Sequence, residues 1–139
     1  MKVIDGTDMI LGRLATRVAK LALAGEEVAV VNCDRVIVIG KRSQIFSRYK
    51  QRVDRGTWKT GPLLHRGAER IVRRTIRGML PYKTPAGIAA FKKVMCYRDV
   101  PQKIANEKAE TFDEINVHKT DNVKFVTVKE ISTFLGAKQ

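Results

Sequence analysis

Apolar and polar positions along this chain alternate in short runs with two different periods. "KVID" at residues 2–5 is a brief strand-like run, followed by Gly6, Thr7 and Asp8, which supply a turn and candidate helix N-caps. In "LGRLATRVAKLALAG" the set Leu11, Leu14, Ala15, Val18, Leu21 and Ala22 recurs at helical spacing, and Gly25 marks a stop. Arg13, Arg17 and Lys20 share another face of that helix. "EVAVVN" is continuously apolar between polar flanks, the pattern of a strand covered on both faces, and "RVIVIG" repeats it up to Gly40.

The second half of the pattern is mostly helical. "SQIFSRYKQRV" sets Ile45, Tyr49 and Val53 four apart, which predicts one apolar stripe beside a crowded cationic remainder of Arg48, Lys50 and Arg52. "DRGTWKTGPLLHRG" reads as a glycine-punctuated loop and holds the only tryptophan, Trp58. Residues 68–80 return to helical spacing. On a wheel of about 100° per residue, Arg70, Arg73, Arg74 and Arg77 gather on one side, and Ala68, Val72, Thr75, Ile76 and Met79 on the other.

Gly78 and Pro81 end that helix, and Thr84-Pro85 starts another, with an N-cap and a proline at the first helical position, where the missing N–H costs nothing. It is expected to bury Ile88 and Phe91 and to carry Lys92 and Lys93 outward. "VMCYRDV" and "VKFVTV" read as strands, and Thr127 and Glu130 form a capping-box pattern ahead of a last helix that stops at Gly136. The order β-α-β-β-α-α-α-β, with a β-α tail, predicts an α/β fold, a three-layer α/β/α arrangement with a mainly parallel central sheet.

Length adds that 139 residues suit a single domain able to remove roughly two-thirds of its unfolded surface from water. The expected organisation is one domain over 1–139, with a basic segment at 41–103 and a C-terminal β-α tail at 104–139. No run approaches the roughly 20 apolar residues of a membrane span, and "MKVIDGTDMI" lacks a signal-peptide core. A cytoplasmic protein is expected.

Charge changes the picture more. The chain carries 27 Lys and Arg against 14 Asp and Glu, a net +13. Residues 1–40 hold five basic and five acidic groups, 41–77 twelve against two, 78–103 five against one, and 104–139 five against six. A neutral frame with one cationic segment points to a polyanionic partner, as a uniform coat would not. Nucleic acid fits better than a membrane surface, because the basic runs are Arg-rich and lack an apolar insertion face. Arginine forks bond phosphate bidentately and stack on bases. Four of them along one helix face repel at i,i+4 by a few tenths of a kcal/mol per pair, an arrangement that makes most sense against phosphate. Aromatics are few: Tyr49 shares a core stripe, while Trp58 and Tyr82 are equally compatible with packing and with base stacking.

Catalytic signals are thin. "RVIVIGKRS" resembles a phosphate loop but has Arg35 where the first glycine belongs and Arg42 where Ser or Thr belongs. The glycines of "DGTDMILG" are six apart, without dinucleotide-loop spacing. Asp5, Asp8 and Asp34 sit where caps and turns use aspartate. Cys33, Cys96, His65 and His118 show no metal spacing, and the two cysteines read as small buried thiols. No enzyme activity, cofactor, metal or small-molecule substrate is expected.

"LGRLATRVAKLALAGEEVAVVNCDRVIVIGKRS" followed by "GPLLHRGAERIVRRTIRGMLPYKT" resembles the thirteenth large-subunit ribosomal protein family, with "RGMLPYKT" its most specific element and the archaeal and eukaryotic branch the better fit. Ala86 before Gly87, where this branch commonly has arginine, and "YRDVP" are departures. The resemblance implies a structural constituent of the large ribosomal subunit that binds ribosomal RNA, supports assembly beside neighbouring ribosomal proteins, and catalyses nothing. Carried onto this chain, the RNA-facing residues are Arg70, Arg73, Arg74, Arg77 and Lys83 at the motif and Arg42, Arg48 and Arg52 upstream. The other cations of the basic segment, Lys50, Arg55, Lys59 and Arg66, complete the expected set. A free RNA-binding translational regulator is the alternative.

Overall fold

In the computed structural model, which describes residues 1–121 and 124–137, the chain runs β1 (Lys2–Asp5), α1 (Leu11–Leu23), β2 (Val28–Val31), β3 (Ile37–Ile39), α2 (Arg42–Asp54), α3 (Ala68–Gly78), α4 (Pro85–Lys92), β4 (Val94–Cys96), β5 (Phe125–Thr127) and α5 (Val128–Phe134). This is the predicted order. Strands β1, β2 and β4 form a parallel sheet in the order β1-β2-β4. Flanked by helices, it gives the expected three-layer α/β/α arrangement with a mainly parallel sheet.

The period of two decides which core each strand residue enters. Ile4, Val28, Val30 and Val94 point into the large core with Leu14, Val18, Val72 and Ile76, while Val3, Ala29 and Val31 point to the opposite face and meet Ile104. Every residue of β2 is buried, as a central strand covered on both faces requires. Full burial of each Val or Ile stabilises by about 1.5–3 kcal/mol, so this alternation outweighs any single polar contact in the sheet. Helix α1 buries Leu11, Leu14, Ala15, Val18, Ala19 and Ala22, the predicted stripe with Ala19 added and Leu21 only partly covered.

Several local expectations are corrected. The "RVIVIG" run does not extend the parallel sheet: β3 pairs antiparallel with β5, Val38 opposite Val126, and its residues Val38 and Ile39 are only half-buried. Thr7 and Asp8 make the turn but do not cap α1. Met9 and Ile10 are held by bridges to Asn116 and Ile37, so the helix starts at Leu11, with Ile10 as an N-cap that offers no side-chain bond. Cys96 is half-buried, although Cys33 is fully buried. A hydrogen bond with the Cys96 thiol, reinforced by burial, raises the Cys33 pKa and keeps it a neutral thiol. In the predicted strand at 123–128, Val123 lies outside the described residues; β5 occupies Phe125–Thr127. The capping box at Thr127 and Glu130 is present, Thr127 Oγ1 accepting from the Glu130 backbone N–H at 3.2 Å.

Candidate nucleic-acid interface

Helix α2 meets the core through one narrow stripe. Ile45 is buried and Phe46, Tyr49 and Val53 are half-buried, leaving the rest of the helix to cations. At about 100° per residue, Arg48, Arg52 and Arg55 fall together on one flank of that stripe, and Lys50 falls on the other. Arg48 and Arg52 line a hollow of about 390 Å³ with Tyr49 and Thr75. Burial raises the pKa of Tyr49, the Arg52 and Arg48 charges opposing it. The ring lies under the Arg52 guanidinium, 5.6 Å from its centroid.

Helix α3 divides its faces more sharply: Ala68, Ile71, Val72 and Ile76 are buried and the arginines stand outside. The four arginines have different neighbours. Arg73 flanks the Ile76 edge of the stripe, is half-buried, and lies over the Phe91 ring of α4 at 4.7 Å. Arg74, on the other flank, faces a cleft. Arg70 contacts His65 Nδ1 at 3.1 Å and lies 3.8 Å from Glu69. Arg77 sits 5.3 Å over the exposed Tyr82 ring. Glu69, the helix's lone acid, accepts from Arg98 at 2.9 Å, and that bond raises the Arg98 pKa.

The cleft, about 490 Å³, opens between α2, the 55–67 loop and α3. Arg52, Arg55 and Arg74 supply its charge and His65 of the loop a ring edge; Tyr49, Pro62, Leu64 and Ile71 supply its apolar floor. Three consecutive elements thus fold back to turn cations toward one concavity in which phosphate and a base face could both be satisfied. Lys59 and Arg66 are exposed on the loop. The Arg66 carbonyl accepts from Ser132 Oγ at 2.7 Å, which ties the loop to α5. Arg42 stands at the far end of α2, paired with Glu130 at 3.0 Å and 5.0 Å over Phe46.

"GMLPYKTPAG" is a joint between α3 and α4. Helix α3 ends at Gly78, short of Leu80, so Met79 leaves the expected apolar side and is 41% exposed, its sulfur accepting from Thr16 Oγ1 at 3.3 Å. Leu80 is buried. Thr84 Oγ1 donates to the Pro81 carbonyl at 2.8 Å and accepts from the Gly87 N–H at 3.2 Å, capping α4. Gly87 is buried against this turn: a Cβ there would lie 2.0 Å from the Pro81 oxygen. Lys83 is left exposed at the corner. Ile88, expected in the core, is 46% exposed, because α4 turns Gly87 and Ala90 inward instead.

Three participants escaped the sequence reading. His65 and Leu64 lie in a loop without periodicity, and Phe91's role as the platform for Arg73 depends on a helix–helix contact. Among the described residues no group of three or more His, Cys, Asp or Glu side chains is placed to hold a metal ion, and no helix is long and apolar enough to cross a membrane.

A family model described as Ribosomal protein L13 matches residues 1–103. The chain belongs to that family. The large ribosomal subunit protein uL13 of Methanococcus maripaludis is 44% identical over 143 residues, covering 99% of each chain. Its counterpart in Methanocaldococcus jannaschii is 42% identical over 142 residues, again 99% of each. That of Archaeoglobus fulgidus is 39% identical over 137 residues, 96% of this chain and 86% of its own. The family match ends at residue 103, whereas the alignments with these relatives cover 96–99% of the chain.

Proposed function

We propose that this chain is a structural constituent of the large ribosomal subunit, that it binds the ribosomal RNA of that subunit and supports its assembly, and that it catalyses no reaction. The observation that carries this reading is the convergence of α2, the 55–67 loop and α3 on one cationic cleft, in a chain of a ribosomal family. Ribosomal RNA is mostly A-form helix, whose deep major groove side chains cannot read, so phosphates, shape and unstacked bases are what such a surface can grip.

In this reading the whole chain acts as one domain and 41–103 is its RNA-binding segment. Arg52, Arg55 and Arg74 neutralise phosphate inside the cleft; Arg48, Lys50, Lys59, Arg66, Arg70, Arg77 and Lys83 extend the contact around it. Arg42 and Arg73 bind from positions fixed by Glu130 and Phe91. Neighbouring ribosomal proteins are the further partners, on cytoplasmic ribosomes.

Sedimentation of a lysate of the source cells through a high-salt sucrose gradient, with the protein followed by mass spectrometry, tests the assignment. Stoichiometric retention in large-subunit fractions is expected. Recovery mainly at the top of the gradient would move the function to a free RNA-binding translational regulator.

A further inference from the structure

Trp58, the chain's single tryptophan, is 90% exposed. Tryptophan is highly buried on average, because its ring carries the largest apolar area of any side chain. One left almost wholly in water is therefore an anomaly that asks for a partner.

The segment that holds it is built. Thr57 and Gly61 exchange backbone hydrogen bonds, Gly61 N–H to the Thr57 oxygen at 2.9 Å and Thr57 N–H to the Gly61 oxygen at 3.4 Å. Thr57 Oγ1 also accepts from the Thr60 N–H at 3.3 Å and bonds the Thr60 hydroxyl. At the neck of this turn Gly56 lies so close to Pro62 that a Cβ would stand 2.2 Å from the Pro62 carbonyl oxygen. Trp58 thus projects from a closed, hydrogen-bonded tip, and the residues on either side of the tip, Arg55 and Pro62, line the cationic cleft.

Charge identifies the partner. Between Arg55 and Ala68 the chain has Arg55, Lys59 and Arg66 and no acidic residue; the acid that follows, Glu69, is bonded to Arg98. An exposed aromatic face on a loop whose charged residues, past Asp54 at the end of α2, are all cations matches a ligand that offers flat π-faces beside phosphates. In a continuous A-form helix those faces are covered by stacking; in loops, bulges and ends they are open.

We propose that Trp58 is a stacking platform for an unpaired base of RNA, with Arg55 and Lys59 neutralising phosphates of the same strand. This rests on the RNA-binding reading above and specifies a site within it. Stacking asks only for a π-face, so the site is tolerant of base identity.

The single tryptophan supplies its own probe. Deproteinised large-subunit ribosomal RNA from the source organism is titrated into the full chain, with occupancy measured by filter binding and Trp58 emission followed on excitation at the red edge of its absorption. Expected are quenching of Trp58 in step with occupancy, protection from acrylamide, a roughly tenfold loss of affinity in Trp58→Ala, and near-complete rescue in Trp58→Phe. An exposed side chain can be replaced without disturbing the core, and unchanged circular dichroism of both variants checks this. RNA binding with unaltered emission, or quenching with no loss of affinity in Trp58→Ala, overturns the stacking site and leaves the tip to a neighbouring protein while the RNA-binding reading stands. Absence of any RNA binding by the wild type overturns both.

Discussion

An alanine at position 87 has no room for its Cβ, which would lie 2.0 Å from the Pro81 oxygen and 3.0 Å from the Tyr82 nitrogen. Because those atoms are backbone, the α3–α4 joint itself must shift. Gly87→Ala is expected to destabilise by about 1–3 kcal/mol in urea unfolding. Gly12, in the first turn of α1, is the control, because a Cβ added there would meet nothing within 4 Å: Gly12→Ala should gain up to about 1 kcal/mol. Asp5 carries a pH dependence. Partial burial alone would raise its pKa, but hydrogen bonds from Asn32 and from the Thr7 side chain and backbone outweigh it and hold the carboxyl below its ordinary value. A carboxylate depressed in the folded state contributes stability fully above its unfolded pKa of about 3.9, and that contribution is lost as pH falls through the folded value. Asp5→Asn should therefore be less stable than the wild type at pH 7, with the difference shrinking below about pH 4 in denaturant titrations; a gap unchanged down to about pH 2 would contradict the assignment.

At the scale of one helix, the wheel separates cations from apolar positions on α3 but says nothing of what each cation meets. Arg73 and Arg74 are adjacent in sequence and diverge in role, the first stacked on Phe91 and the second in the cleft. Arg73→Ala is expected to cost about 0.5–1 kcal/mol of stability through the lost cation–π contact. Arg74→Ala should stay within about 0.5 kcal/mol of wild-type stability and weaken RNA binding instead. Thermal unfolding separates the two variants, since both residues belong to the proposed RNA contact and only Arg73 is stacked on Phe91; equal losses of stability would erase the distinction. The apolar half of the pattern has the same limit. Val72 and Ile76 enter the core as the spacing predicts, but Ile71, not counted on the apolar side, is buried too, and Met79 is exposed because the helix stops at Gly78.

For the whole molecule the relevant quantity is the concentrated charge of residues 41–77. If the cleft and its surroundings neutralise about 6–10 phosphates, the logarithm of the RNA association constant should fall with the logarithm of salt concentration with a slope of roughly −4 to −9. Filter binding across a salt series measures it, and a slope near zero would show that the cations face something other than RNA.

Legible in the sequence were the element order, the burial of β2 on both faces, both helix caps at Thr84 and Thr127, the cationic stretch and the family, because each is written in local periodicity, local side-chain chemistry or a contiguous motif. Packing across the chain was needed to settle that β3 leaves the parallel sheet for β5, that Ile88 faces outward, that Arg42 and Arg73 are anchored to Glu130 and Phe91, and that Arg52, Arg55 and Arg74 share a cleft with His65. Those outcomes depend on which distant surfaces meet, so residues of similar local pattern end with different partners.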